Sequence, residues 1–207
     1  MRRVAAAALV LVVSFGAPAA MVSPAGASGP RYVLPVAGAS YGRSHHDYPA
    51  ADLFPAAGCG ATVMAPTAGT VSQIRRVDRW QASTDNPALR GGKTIALKGT
   101  DGVRYYFAHL SAIGSNIVVG TKVVPGQPIG KVGRTGRAAV CHLHFALSIP
   151  CPRLEWEVRR GVIWPQSYLD AWRIHEDLSP AIQLTHWARN HSSACETAEA
   201  APHASEA

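Results

Sequence analysis

Between residues 31 and 147 the apolar positions come in short runs rich in Val, Ile, Thr and Tyr, each closed by Gly, Pro or Asp-Gly. Runs of that length and composition predict antiparallel strands. The clearest pair is 94–98 and 103–109, joined by Gly99-Thr100-Asp101-Gly102, whose glycines supply the positive φ of a tight turn. Residues 69–74, 122–124, 128–132 and 142–148 read as further strands. From 77 to 93 the alternation lapses into a polar stretch long enough to be an ordered rim loop. After Cys151 the period lengthens. Residues 165–172 and 179–190 predict helices, each opened by Pro or Ser, with Trp172, Ile182, Leu184 and Trp187 as packing positions. The expectation is a mainly β protein, an antiparallel β-sheet domain followed by a short helical C-terminal extension.

The start of the chain has another character. Met1-Arg2-Arg3, an apolar run to Phe15 and small residues ending Ala25-Gly26-Ala27 have the three-part layout of a secretory signal. The run is shorter than the ~20 residues that span a bilayer, so no membrane anchor is expected after signal cleavage. Cleavage after Ala27 would leave a β domain over 28–150, a helical extension over 151–193 and a disordered tail over 194–207. The mature protein is expected to be secreted, extracellular or associated with a cell wall, and to be a monomer.

Charge and cysteines refine this picture. Without Arg2 and Arg3, 18 of the 20 Lys and Arg remain against 13 Asp and Glu, a net charge of about +5. Such a surface attracts anionic wall polymers, whereas the lack of a Lys/Arg run with interleaved aromatics argues against nucleic acid as a partner. Four cysteines in an exported chain, with no CxxC pair among them, suggest two disulfides and not a cysteine zinc site. Of the three possible pairings, Cys141 with Cys151 and Cys59 with Cys195 is the one expected, because a short strand and a turn at Pro150 would return the chain to itself.

The candidate chemistry lies in three places. In His142-Leu143-His144, strand alternation sends both imidazoles to one face, with Cα atoms about 7 Å apart, and Leu143 to the other. One imidazole can then bind a metal while the other stands beside a water; alone, His-x-His is also a common surface or core pattern. The segment His45-His46-Asp47-Tyr48-Pro49-Ala50-Ala51-Asp52 adds a further imidazole and a carboxylate. Fully extended, it would hold His46 and Asp52 about 20 Å apart, so a shared metal requires a bend, for which Tyr48-Pro49 is suited. Two histidines and one aspartate leave the fourth position open, as catalytic zinc requires. Third, Tyr106-Phe107-Ala108-His109-Leu110 ends a strand in an imidazole that alternation places on the face of Phe107, Tyr105 and Val103.

These elements together resemble the lysostaphin-like (LytM-type) zinc endopeptidases of bacterial cell walls, marked by a His…Asp pair, a later Tyr-x-x-His-Leu strand and a terminal His-x-His. Ala65-Pro66-Thr67-Ala68-Gly69-Thr70-Val71 and the stretch from Gly126 through Ile129, Gly130, Gly133 and Thr135 to Gly136 look like the family's intervening motifs in the same order. The resemblance covers residues 35–150. It implies one Zn2+ per chain held by His46, Asp52 and His144, with His45 as the alternative ligand, and His109 and His142 as the catalytic groups beside the attacking water. It further implies a metalloendopeptidase that hydrolyses peptide bonds of peptidoglycan with a zinc-activated water, in a cleft rimmed by the 77–93 loop, where Arg79 and Trp80 would contact substrate. One departure concerns spacing. The family separates its first histidine from the aspartate by three residues, whereas here five intervene from His46 and six from His45. The rival reading is a non-catalytic relative that acts as a wall-binding module or as an activator of another hydrolase.

Overall fold

Alternation along the strands decides the layers. The computed structural model describes residues 31–151 and 160–195; the expected signal peptide, the first part of the expected helical extension and the stretch past Cys195 lie outside the described residues. The strands are β1 (Ser40–Tyr41), β2 (Ala51–Phe54), β3 (Thr62–Met64), β4 (Gly69–Arg75), β5 (Thr94–Gly99), β6 (Arg104–Ala108), β7 (Leu110–Ile113), β8 (Lys122–Val123), β9 (Pro128–Val132) and β10 (Leu143–Ser148). Two helices follow, α1 (Gln166–Arg173) and α2 (Ala181–Asn190). A seven-stranded sheet has the order β1-β2-β10-β6-β5-β4-β8, and a second sheet the order β3-β9-β7. Neighbouring strands are antiparallel throughout.

In β10, Leu143, Phe145 and Leu147 face the core, joined there by Leu53 of β2, Tyr105 and Phe107 of β6 and Leu97 of β5. Each such fully buried side chain is worth about 1.5–3 kcal/mol of transfer free energy. The opposite face carries Ala96, Tyr106, Ala108 and Ala146, which cluster with Ala50. Small side chains there keep the floor of the site low.

Both predicted helices are present, one residue from their expected starts or later. Trp172 of α1 is inside the core, stacked on Tyr32 at 5.4 Å and edge-on to Phe145 at 6.2 Å. Leu184 is also buried, but Ile182 is 74% exposed and does not pack as expected. The β1, β2, β3 and β7 strands were not separated in the sequence reading. They have two to four residues each, too few to display a period.

The disulfides correct the expected pairing. Cys59 is bridged to Cys141 and Cys151 to Cys195. The physical reason is β10 itself: its six extended residues span close to ~20 Å between Cys141 and Cys151, well beyond the ~7 Å that a disulfide tolerates between Cα atoms.

Candidate metal centre

Cross-strand register delivers the first two groups. His144 of β10 pairs with Asp52 of β2 on one side and with Ala108 of β6 on the other. Because Leu143 opposes Leu53 and Phe145 opposes Ala51 toward the core, Asp52 and His144 are both turned to the other face. His142, one residue before β10, is held by a bridge to Gly133 and shares that face with His144.

His45 comes from the loop between β1 and β2, which bends over residues 46–49, at the Tyr48-Pro49 step. Asp52 Oδ1 lies 3.1 Å from His144 Nδ1, 3.6 Å from His45 Nε2 and 3.7 Å from His142 Nε2. His45, Asp52 and His144 offer donor atoms that all lie within 4.8 Å of one another. The group contains His45, the alternative of the two neighbours, and not His46. The bend turns His45 inward, with its side chain 5% exposed, while His46 is exposed and packs edge-on against the His45 ring.

This donor set fits zinc. Donors bound at ~2.0–2.1 Å around a tetrahedral ion stand about 3.3 Å apart, close to the two spacings seen at Asp52. Protonation agrees as well. Burial, reinforced by His144, lowers the His45 pKa to about 4, so the ring is neutral near pH 7 as a metal ligand must be. Burial pushes Asp52 upward, but the His144 hydrogen bond and the neighbouring imidazoles outweigh it and leave the carboxyl at about 2. His144 sets Nδ1 toward the Asp52 oxygen and Nε2 3.3 Å from the Arg160 carbonyl, which can accept Nε2–H when Nδ1 binds a metal.

The other two histidines are held differently. His109 follows the last residue of β6 with φ of +62°, a left-handed conformation uncommon outside glycine. That twist breaks the alternation that would have sent it to the Phe107 face and brings its ring to 4.7 Å from His142 and 6.0 Å from His144. Its backbone N–H donates to Gly91 and its Nδ1–H to the Thr135 carbonyl at 2.8 Å. His142 Nδ1–H likewise donates to Val140 at 2.9 Å. In the neutral ring this anchoring places the proton on Nδ1 and leaves Nε2 as the acceptor. Burial, then the charges of His144 and His142, lowers the His109 pKa to about 3.

The 77–93 loop borders the His109 side. Asp78 accepts from Gly136 N–H, and Asp85 accepts from the Trp80 indole and from Arg90, with Arg137 at 3.3 Å. Trp80 is half-buried in this network and Arg79 is exposed; neither belongs to the His/Asp cluster. Sequence reasoning missed the orienting groups of the site, the carbonyls of Thr135, Val140 and Arg160, because a backbone atom has no residue signature. It also missed Tyr48, whose ring lies 4.6 Å from His45 under the Arg160 guanidinium. Burial pushes the Tyr48 phenol up to about 12.

The sequence profile described as Peptidase family M23 matches residues 50–156. The histidine pair at 45 and 46 lies just before that range. Over 93 residues the chain is 32% identical to an L-Ala--D-Glu endopeptidase of Bacillus subtilis (strain 168), covering 42% of this chain and 27% of that protein. Over 56 residues it is 46% identical to glycyl-glycine endopeptidase ALE-1 of Staphylococcus capitis, covering 27% of this chain and 15% of the relative. The chain thus spans under a third of the length of either relative. Among solved structures, the antimicrobial peptidase lysostaphin from Staphylococcus simulans superposes with a TM-score of 0.52 at 24% identity, over 70% of this chain and 55% of that one, a likeness of fold.

Proposed function

From the premise that this chain belongs to Peptidase family M23, we propose that it is a zinc-dependent endopeptidase that hydrolyses peptide bonds of bacterial peptidoglycan outside the cell. The observation that carries the reading is the convergence of His45, Asp52 and His144 donor atoms within 4.8 Å, beside two further imidazoles each anchored through Nδ1 to a backbone carbonyl. The two relatives' names, one an L-Ala--D-Glu and the other a glycyl-glycine endopeptidase, support a wall peptide as substrate. Two disulfides among the described residues suit an oxidising compartment. No helix among the described residues is long and apolar enough to cross a membrane. Exposed Arg134 and Arg137 on the strip beside His109 suit substrates or wall polymers that carry negative charge.

His45 Nε2, Asp52 Oδ1 and His144 Nδ1 would hold the zinc, with the Arg160 carbonyl fixing the His144 tautomer. Zinc bound there supplies Lewis acidity, which polarises a scissile carbonyl and makes water acidic enough to lose a proton near neutral pH. His109 and His142 do the proton work. Each is anchored through Nδ1–H and presents Nε2, which accepts a proton from an attacking water; the imidazolium so formed returns it to the departing amine or hydrogen-bonds the developing oxyanion. Burial of His109 keeps it in the neutral, accepting form. Protein reconstituted with zinc should release new amines from purified peptidoglycan, and chelator-treated protein should not. Stoichiometric zinc without amine release would favour the non-catalytic wall-binding relative.

A further inference from the structure

The loop over residues 42–50 carries His45 and is held by ring contacts, not by backbone hydrogen bonds of its own. Among the described residues, none of the loop and turn backbone hydrogen bonds uses an atom of residues 42–50. Its middle packs through Tyr48, against His45 and under Arg160, and its two ends are fastened from α1. Gln166, 6% exposed at the start of that helix, donates from Nε2 to the Ala50 carbonyl at 3.0 Å and to the Gly42 carbonyl at 3.5 Å. One buried amide group therefore ties the two ends of the loop together. One helical turn later, on the same face, Asp170 accepts from the Tyr41 hydroxyl at 2.8 Å and pairs with Arg43. The helix is itself immobilised by Leu169 and Trp172, both inside the core.

We propose that Gln166 and Asp170 are positioning residues that clamp the 42–50 loop and so hold His45 within reach of Asp52 and His144, which makes the helical extension a working part of the metal centre. The proposal rests on the metal-binding reading above. The clamp and the loop entrance both lie outside the residues matched by the family profile. The six residues between His45 and Asp52 give the device its purpose, because a loop of that length between ligands has conformations to lose and an external tie removes them before the metal arrives. The hydrogen-bond sense is specific, because two carbonyls require a donor. Neither glutamate nor methionine, of similar shape, supplies one.

Zinc affinity is measured by competition with a chelator, with circular dichroism confirming that each protein is folded at the assay temperature. Gln166→Met should bind zinc ~10–100-fold more weakly than wild type, the usual loss when a group that orients a ligand is removed. Asp170→Asn should show a smaller loss in the same direction and carries the test should Gln166→Met fail to fold. In a His45→Ala background the Gln166→Met change should have no further effect on residual zinc binding, because the group it positions is gone. Unchanged affinity in both single variants, or an equal loss with and without His45, overturns the clamp while leaving the peptidase reading intact. A wild-type protein that binds no zinc removes the metal reading and the clamp with it.

Discussion

Replacing Cys59 and Cys141 together by serine opens a cross-link between residues 82 apart, a loop that holds β3 through β9. On the chain-entropy account that bridge is worth ~4.5 kcal/mol near room temperature, and the Cys151–Cys195 bridge, with a separation of 44, ~4 kcal/mol. The loops do not overlap in sequence, so the two contributions should add. Against a total stability of about 5–15 kcal/mol, either double variant should still fold, and the quadruple variant should be marginal or unfolded. With a urea m-value of about 2 kcal/mol/M, each pair of substitutions should lower the midpoint by roughly 2 M. Function should separate them. Cys141 adjoins His142 and the Val140 carbonyl that orients it, whereas Cys151 and Cys195 tie the extension to the far end of β10. At a temperature where both double variants are folded, amine release from peptidoglycan should fall further for Cys59→Ser/Cys141→Ser. Equal activity losses, or midpoints that move by less than about a quarter of the expected shift, would refute the reasoning.

Three other outcomes follow from named contacts. His109→Ala and His142→Ala should each keep close to one zinc per chain by metal analysis yet lose ~10²-fold or more in peptidoglycan cleavage, and loss of the metal would mean that a ligand had been removed instead. Leu143→Ala should cost about 2–5 kcal/mol in urea unfolding, because the side chain is fully buried between His142 and His144 on the opposite face; a cost below that range would show the cavity collapsing. Alkaline stability depends on Tyr32 and Tyr105, both of which donate to Asp101. Burial pushes the Tyr32 phenol up to about 12 and raises Tyr105 as well. The unfolded chain therefore ionises these groups first, near pH 10, so stability is complete below about 10 and falls as pH rises through about 12. Tyr32→Phe should flatten that fall in urea midpoints, and an unaltered slope would exclude Tyr32 as its source.

The sequence was informative wherever one local pattern decides the outcome. The 128–132 run needs only its own bounding turns to be a strand, and α1 and α2 start at proline signals with apolar spacing that the core then uses. His142-Leu143-His144 was legible for the same reason, since parity within one strand fixes which way each ring points. Parity failed where the backbone leaves the pleat. His109 escapes the Phe107 face through a left-handed φ, and the bend over residues 46–49 turns His45 inward, not His46. The disulfides were misassigned because pairing depends on where strand ends meet in space. The role of α1 at the 42–50 loop was equally hidden, since Gln166 reaches carbonyls 116 and 124 residues away.

The account is tested most directly by bound zinc in two adjacent variants, His45→Ala and His46→Ala, each assayed beside wild type for amine release from peptidoglycan. Wild type should hold one zinc per chain and cleave. His45→Ala should lose both metal and cleavage, because one of three converging donors is gone, whereas His46→Ala should keep its zinc and most of its activity. Zinc lost from His46→Ala and retained by His45→Ala would contradict the metal centre described for this fold.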